Sequence, residues 1–512
     1  MSAPFHGKEF TFYQPDGTGF QVRGWGDEHN ARFETLDGLL VVQNPATGFY
    51  EYAAVSEDGD EIRLTETRAD VALPGDLRPT ASLSSNRAAA RVRAQISSGL
   101  PRGNTRWEER RRRRKTAQQN AKLAATAPDV APAPPQRPTV GKYVGLCLLV
   151  QFPDVPGTIS REQVEAYCNQ PGYTGFGNNG SVYDYFLEIS SGKMQYTNLV
   201  APYYMAKNPR AYYTDEQIEY PIRAKELIVE ALDDLRTEGF DFSQLTTDDE
   251  DYVYALNVFY AGPLDNTWTK GLWPHASSLE SPYPLMSGKL AYDYQFTNMG
   301  DQLTLGTFCH ENGHMTCDFP DLYDYAFDSA GVGVYCLMCA GGYATEVMET
   351  NPTHVCAYLK HEAGWGGSVT RITDGLTATA TAGENQFFIH AKNQAEYFIV
   401  ENRFQEGRDQ HLTDSGLAIW HVDHRGSNSN QAGTPSVHYE CALMQADGEN
   451  DLENDEDIGD DKDLFHAGGN DRFGNTTRPN SKWWNGARSG LEIHSIGPVG
   501  REMTFSAKIQ SP

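Results

Sequence analysis

The chain has 512 residues, 39% hydrophobic, 22% charged and 11% aromatic, with a formal net charge of −27. At roughly 150 residues per domain this predicts about three domains with sizeable cores, and no apolar run nears the roughly 20 residues of a membrane span. The charge is uneven, net +2 over residues 1–140 and −29 over 141–512, which argues against nucleic acid or an anionic membrane as partner of the second part and leaves solubility or carboxylate sites for Ca²⁺.

Residues 1–83 alternate apolar and polar positions between Asp-Gly and Pro-Asp-Gly turns, which predicts a β-rich module. Residues 84–139 are rich in Ser, Ala, Arg, Gln and Pro, with a basic run at Arg110–Lys115. That composition predicts a linker, helical around its Arg/Glu part, exposed as a tether and open to an activating protease at Arg110–Lys115. Residues 140–370 mix a buried strand (YVGLCLLVQF), helices at SVYDYFLEISSG and Tyr220–Gly239, a core strand (YVYALNVFYAG) and a helix over Leu303–Met315. Residues 371–512 are short strands with turn signals, the pattern of a β-sandwich or barrel. There is no internal repeat, and eight cysteines are too sparse for a disulfide framework.

The chemistry concentrates in Thr307–Asp324, TFCHENGHMTCDFPDLYD. His310 and His314 stand four residues apart on one helical face, where both imidazoles reach one Zn²⁺, with Glu311 placed beside the metal's water. Zinc lowers the pKa of such a water toward about 7, and a carboxylate takes its proton for attack on a peptide carbonyl. A catalytic zinc keeps three protein ligands; Asp318, Asp321 and Asp324 are the candidates for the third, and spacing alone does not choose among them. Tyr323, Tyr325, Tyr343 and His361 are candidates to stabilise the oxyanion.

The run HENGHMTCDFPDLYD resembles the active-site segment of the immune inhibitor A family of secreted zinc metallopeptidases. Further resemblances lie in SVYDYFLEISSGKMQYTN, FYAG, LWPHAS, VYCLMCAGGY, NPTHVCAYLKHEAGW, EYFIVENR and GLAIWHVD. The resemblance implies an α+β fold: a metzincin-like catalytic domain, an N-terminal β-rich pro-module and a C-terminal β-sandwich-like domain. It implies Asp321 as third zinc ligand, with Asp318 as second choice because the spacing departs by one residue from HExxHxxGxPD. Met338 would underlie the metal site as a hydrophobic base. The expected activity is a secreted zinc endopeptidase acting on proteins or peptides and made as a latent precursor. MSAPFHGKEF has no apolar core of the secretory type, so either the chain is cytosolic or its signal lies outside this sequence, and the resemblance implies the latter.

Ala446–Leu464 places ten carboxylates in a short span, with Asp455, Asp457, Asp460 and Asp461 as candidate calcium ligands. His6, Asp27, Glu28 and His29 are the donors that the N-terminal module offers to block the zinc, the acidic pair of GDEH foremost. A disulfide from Cys317 or Cys309 to Cys336 would staple the turn under the zinc helix. The competing reading is an extracellular binding or adhesion protein with a structural or vestigial zinc site.

Overall fold

A computed structural model describes residues 5–55, 62–71, 96–97, 105–124, 138–264, 266–325, 329–429 and 437–510. The expected linker residues 84–95, 98–104 and 125–137 lie outside the described residues.

The N-terminal residues form an antiparallel meander of β1 (Phe5–Tyr13), β2 (Gly19–Gly26), β3 (Asn30–Thr35), β4 (Leu40–Gln43), β5 (Tyr50–Val55) and β6 (Ile62–Arg68), with β7 (Ile96–Ser97) paired to β3. Its apolar face does not close on itself. Phe5, Phe12 and Phe33 share one cluster with Tyr220, Trp268 and Trp273 from beyond the linker, so the sheet is anchored to the body by aromatic burial.

Helix α1 (Arg106–Ala124) follows, and it is no solvated tether. Asp293 accepts the first backbone N–H groups of the helix, from Arg106 at 2.9 Å and Trp107 at 3.1 Å. Arg106 pairs with Asp248, Arg110 with Asp248 and Asp318, and Arg111 and Lys115 with Glu440. Cations about one turn apart thus fall on one helical face, while Arg112 and Arg113 stay exposed.

The central sheet runs β11 (His275–Pro284), β12 (Leu290–Met299), β10 (Leu256–Ala261), β8 (Gly141–Gln151) and β9 (Met194–Met205); every pairing is parallel except edge strand β11. The unbroken apolar run of β8 reflects burial on both faces. Cys147 and Leu149 face the core that holds α2 (Arg161–Asn169) and α3 (Val182–Ile189), whereas Leu146, Leu148 and Val150 meet Leu227, Ile228 and Ala231 of α4 (Ile222–Thr237). Ser181 and Asp184 form a capping box that starts α3. Helix α5 (Leu305–Cys317) leaves the sheet after β12; α6 (Glu346–Thr350) and α7 (Ala357–Glu362) complete the central unit.

Two C-terminal sheets follow, β13 (Ser368–Arg371), β15 (Gln386–Ala391), β16 (Glu396–Arg403), β17 (Gly416–Asp423) and β18 (Cys441–Leu443) in one, and β14 (Thr377–Thr381), β21 (Glu502–Ile509), β20 (Leu491–His494) and β19 (Phe473–Gly474) in the other. Phe398, Val400 and Ile419 pack toward the second sheet, and Ile399, Ala418 and Trp420 join the central core. The architecture is therefore α+β, an all-β N-terminal sheet, a central helix and C-terminal β-sheets. All eight cysteines are buried free thiols, so the Cys317 or Cys309 to Cys336 bridge does not form; Cys336 Sγ instead accepts the Cys356 N–H at 3.3 Å.

Candidate metal centre

Helix α5 is short of strong helix formers on its buried side, and its position is set by tertiary contacts. Asn312 donates to Asn257 Oδ1 at 2.9 Å, and Asn257 donates to Asn198 Oδ1 at 2.8 Å. Tyr196 also donates to Asn312. This polar ladder ties the back of α5 to β9 and β10.

The front of the helix carries His310, Glu311 and His314, all 2% exposed or less. His310 Nδ1 lies 2.9 Å from Leu337 O and His314 Nδ1 2.6 Å from Phe319 O. Carbonyl oxygens only accept, so both Nδ1 atoms carry the protons and both Nε2 atoms present lone pairs. Those lone pairs converge with Asp321. His310 Nε2 is 3.0 Å and His314 Nε2 3.2 Å from Asp321 Oδ1, and the two Nε2 atoms are 3.1 Å apart.

Three lone-pair donors facing one another at these distances, sealed from water, repel unless a cation sits among them. The separations also suit zinc, since arms of 2.0–2.1 Å in a tetrahedron give edges of about 3.3 Å. When a proton rather than a cation occupies the cluster, burial would still push the Asp321 carboxyl up, but His314 in its charged form, with both imidazoles alongside, holds it well below the usual range. His314 is raised: Asp321 outweighs the burial that would lower it. Burial pushes the Glu311 carboxyl up.

Asp318 is not brought into this group. It ends α5 in the left-handed conformation (φ 54°), donates its N–H to His314 O, and turns its carboxylate to Arg110 and Arg114. That reversal of the chain is what lets Asp321 come back under the helix. Asp324 is buried outside the triad. Met338 is fully buried against the helix, and a Cβ on Gly313 would stand 2.9 Å from its sulfur.

Residues 276–366 match the immune inhibitor A peptidase M6 family, catalytic domain. The immune inhibitor A match begins in β11 and takes in α5, the whole His310–His314–Asp321 triad, the Met338 turn and α7. No curated protein matches the chain. With its peptidase match and buried triad the chain is a zinc metalloenzyme, and the two findings support metal-dependent peptidase activity.

Three features complete the surroundings of the triad: Tyr325 and the GDEH turn, both named from the sequence, and Trp107, to which no motif pointed. Tyr325 donates to Asp321 Oδ2 at 2.7 Å and orients the carboxylate. Trp107 of α1 stacks on the His314 ring, centroids 4.5 Å apart. The turn between β2 and β3 lies over the site. There Trp268 donates to Asp27 O at 2.8 Å, Tyr323 to Asp27 Oδ2 at 3.3 Å and Asn30 to Tyr325 O at 3.3 Å. Glu28 is 1% exposed, and its charge is among those felt by Glu311. His6 is not at the triad; it lines a groove beside it. The aspartate-rich loop brings Asp457 and Asp460 together with Asp451, and Asp447 and Glu449 with Asp451, whereas Asp455 and Asp461 join neither group among the described residues.

Proposed function

We propose that the protein is a secreted zinc endopeptidase with a metzincin-like catalytic domain, made as a latent precursor. The observation that carries the reading is the buried triangle of lone pairs from His310, His314 and Asp321, with Glu311 beside it on the same helix. A zinc ion held there would supply Lewis acidity, polarising a peptide carbonyl and acidifying water.

The chain's own residues do the rest. Glu311 takes a proton from the attacking water on its carboxylate and returns it to the leaving amine. Tyr325 and the two backbone carbonyls hold the ligand set in one orientation. The β11-β12-β10-β8-β9 order with one antiparallel edge, and the Met338 turn under the helix, support the metzincin-like reading. Latency rests on closure: the Asp27–His29 turn covers one side and Trp107 stacks on the other, with Glu28 as the blocking side chain. Activation by a trypsin-like protease within Arg110–Lys115 then requires α1 to leave its dock, because a protease takes an extended segment. The acidic loop takes Ca²⁺ through Asp451, Asp457 and Asp460.

The test is metal analysis with casein cleavage before and after limited trypsin treatment. One zinc per chain is expected in the wild type and in Glu311→Ala, with cleavage only in the wild type and rising after treatment. Asp321→Ala should lose the zinc and Asp318→Ala should keep it. One zinc with no cleavage under any treatment would instead fit a structural site in a binding protein.

A further inference from the structure

A groove of about 1130 Å³ opens between β1 and the central unit. Its inner wall includes Thr307 and Phe308 at the start of α5. Thr307 is four residues before Glu311 and therefore shares its helical face. The opposite wall is the chain from Tyr343 to Thr350, which follows the Met338 turn. That wall packs on the metal helix: a Cβ on Gly306 would stand 1.8 Å from O of Gly342, the residue before Tyr343. The groove thus runs along the wall of the metal centre.

Its charge is one-sided. Among the described residues the central unit lines it with Asp301, Glu346 and Glu349 and with no lysine or arginine. The groove's one ammonium among the described residues is Lys8 of β1, whose Nζ lies 3.6 Å from Glu349 Oε1. Beneath is an aromatic floor: the Phe259 and Phe308 rings stack with centroids 5.5 Å apart. An acidic rim over an apolar floor is the setting in which a lysine or arginine lays its stem on apolar surface and carries its charge to the rim.

We propose that this groove is a substrate subsite that selects a lysine or arginine a few residues from the scissile bond. Glu349 is its specificity-determining residue, and β1 presents Lys8 as an internal occupant of the same rim. The proposal rests on the peptidase reading, since it takes the groove to be an arm of that reading's cleft.

Binding is measured on the full chain carrying Glu311→Ala, so that no turnover intervenes. The probes are a fluorescein-labelled seven-residue peptide with one lysine and its glutamine twin, followed by anisotropy at low salt. The lysine peptide should bind about fivefold more tightly than its twin, the range of a partly exposed ion pair. Glu349→Gln should erase the difference, and Lys8→Gln, which vacates the rim, should strengthen lysine-peptide binding. Equal binding of the twins, or a preference that survives Glu349→Gln, overturns the proposal, as does no binding of either peptide to the Lys8→Gln chain. Casein fragments from the wild-type chain should also show lysine or arginine enriched at one position within four residues of the cut, and a flat profile counts against it. The parent reading fails separately, by absence of zinc or of casein cleavage. Lysine selectivity in the Glu311→Ala chain is scored whether or not cleavage occurs.

Discussion

Gly306, one residue into α5, has no room for a side chain. A Cβ there would stand 1.8 Å from Gly342 O and 3.2 Å from Glu349 Cα. The start of the metal helix therefore lies directly on the backbone that follows the Met338 turn. Gly306→Ala must push these two segments apart, and overpacking of this kind costs about 1–3 kcal/mol. The expected outcome is a lower thermal midpoint together with weaker zinc retention during dialysis against a chelator. An unchanged midpoint and unchanged retention would show that the contact yields easily. The same scale explains why Asp321 was singled out only with help from a resemblance. Asp318, Asp321 and Asp324 all follow the helix closely, and what separates them is the left-handed turn at Asp318 and its capture by Arg110 and Arg114. Those arginines lie about 200 residues earlier in the chain, so no local spacing rule reports them.

At the scale of elements, the strands that were easiest to read are those buried on both faces, such as β8, β10, β16 and β17, because burial leaves an unbroken apolar run. Edge strand β11, HASSLESPYP, carries exposed polar positions and no such run, so it was not legible. Helix α1 was legible as a helix around its Arg/Glu part and not as a docked one, because its partners Asp248, Asp293, Asp318 and Glu440 are scattered over the central unit and the C-terminal sheets. Docking makes a prediction. Burial would push the Glu440 carboxyl up, but Arg111 and Lys115 hold it at about 2 against an ordinary 4.5. A depressed folded pKa gives stability that is present above about 4.5 and lost as pH falls toward about 2. The α1 dock should therefore survive mild acid and open only in that window, seen as rising exchange of the α1 amides. Glu440→Gln removes one partner of a buried set, a change that costs about 3–5 kcal/mol. Trypsin should then cut within Arg110–Lys115 at least tenfold faster at neutral pH than in the wild type. Equal cutting rates would mean that Glu440 does not hold the helix.

Over the whole molecule the charge poses the remaining problem, since residues 141–512 carry net −29 and the triad absorbs one carboxylate of that excess. Much of the rest faces solvent, but the loop around Asp451 does not behave as a free surface. Partial burial, with Asp457, Glu456 and Asp447 nearby, pushes the Asp451 carboxyl to about 6 from an ordinary 3.8. Glu453 rises to about 7 and Asp463 to about 6, chiefly through burial. A carboxyl raised in the folded state contributes stability only while protonated. That contribution is complete below about 3.8 for the aspartates and is lost as pH rises through about 6. At neutral pH the loop therefore weakens the fold unless a cation compensates, and hard oxygen donors in this arrangement suit Ca²⁺. An ion that binds the folded state at a hundred times its dissociation constant stabilises it by about 2.7 kcal/mol. Millimolar Ca²⁺ should therefore raise the thermal midpoint at pH 7.5, raise it much less at pH 5, where protons compete for the same oxygens, and do neither in Asp451→Asn/Asp457→Asn. Mg²⁺ at the same concentration supplies the ionic-strength control. A rise that is equal at both pH values, equal with Mg²⁺, or kept by the double variant would assign the acidity of this loop to solvation, with no site in it.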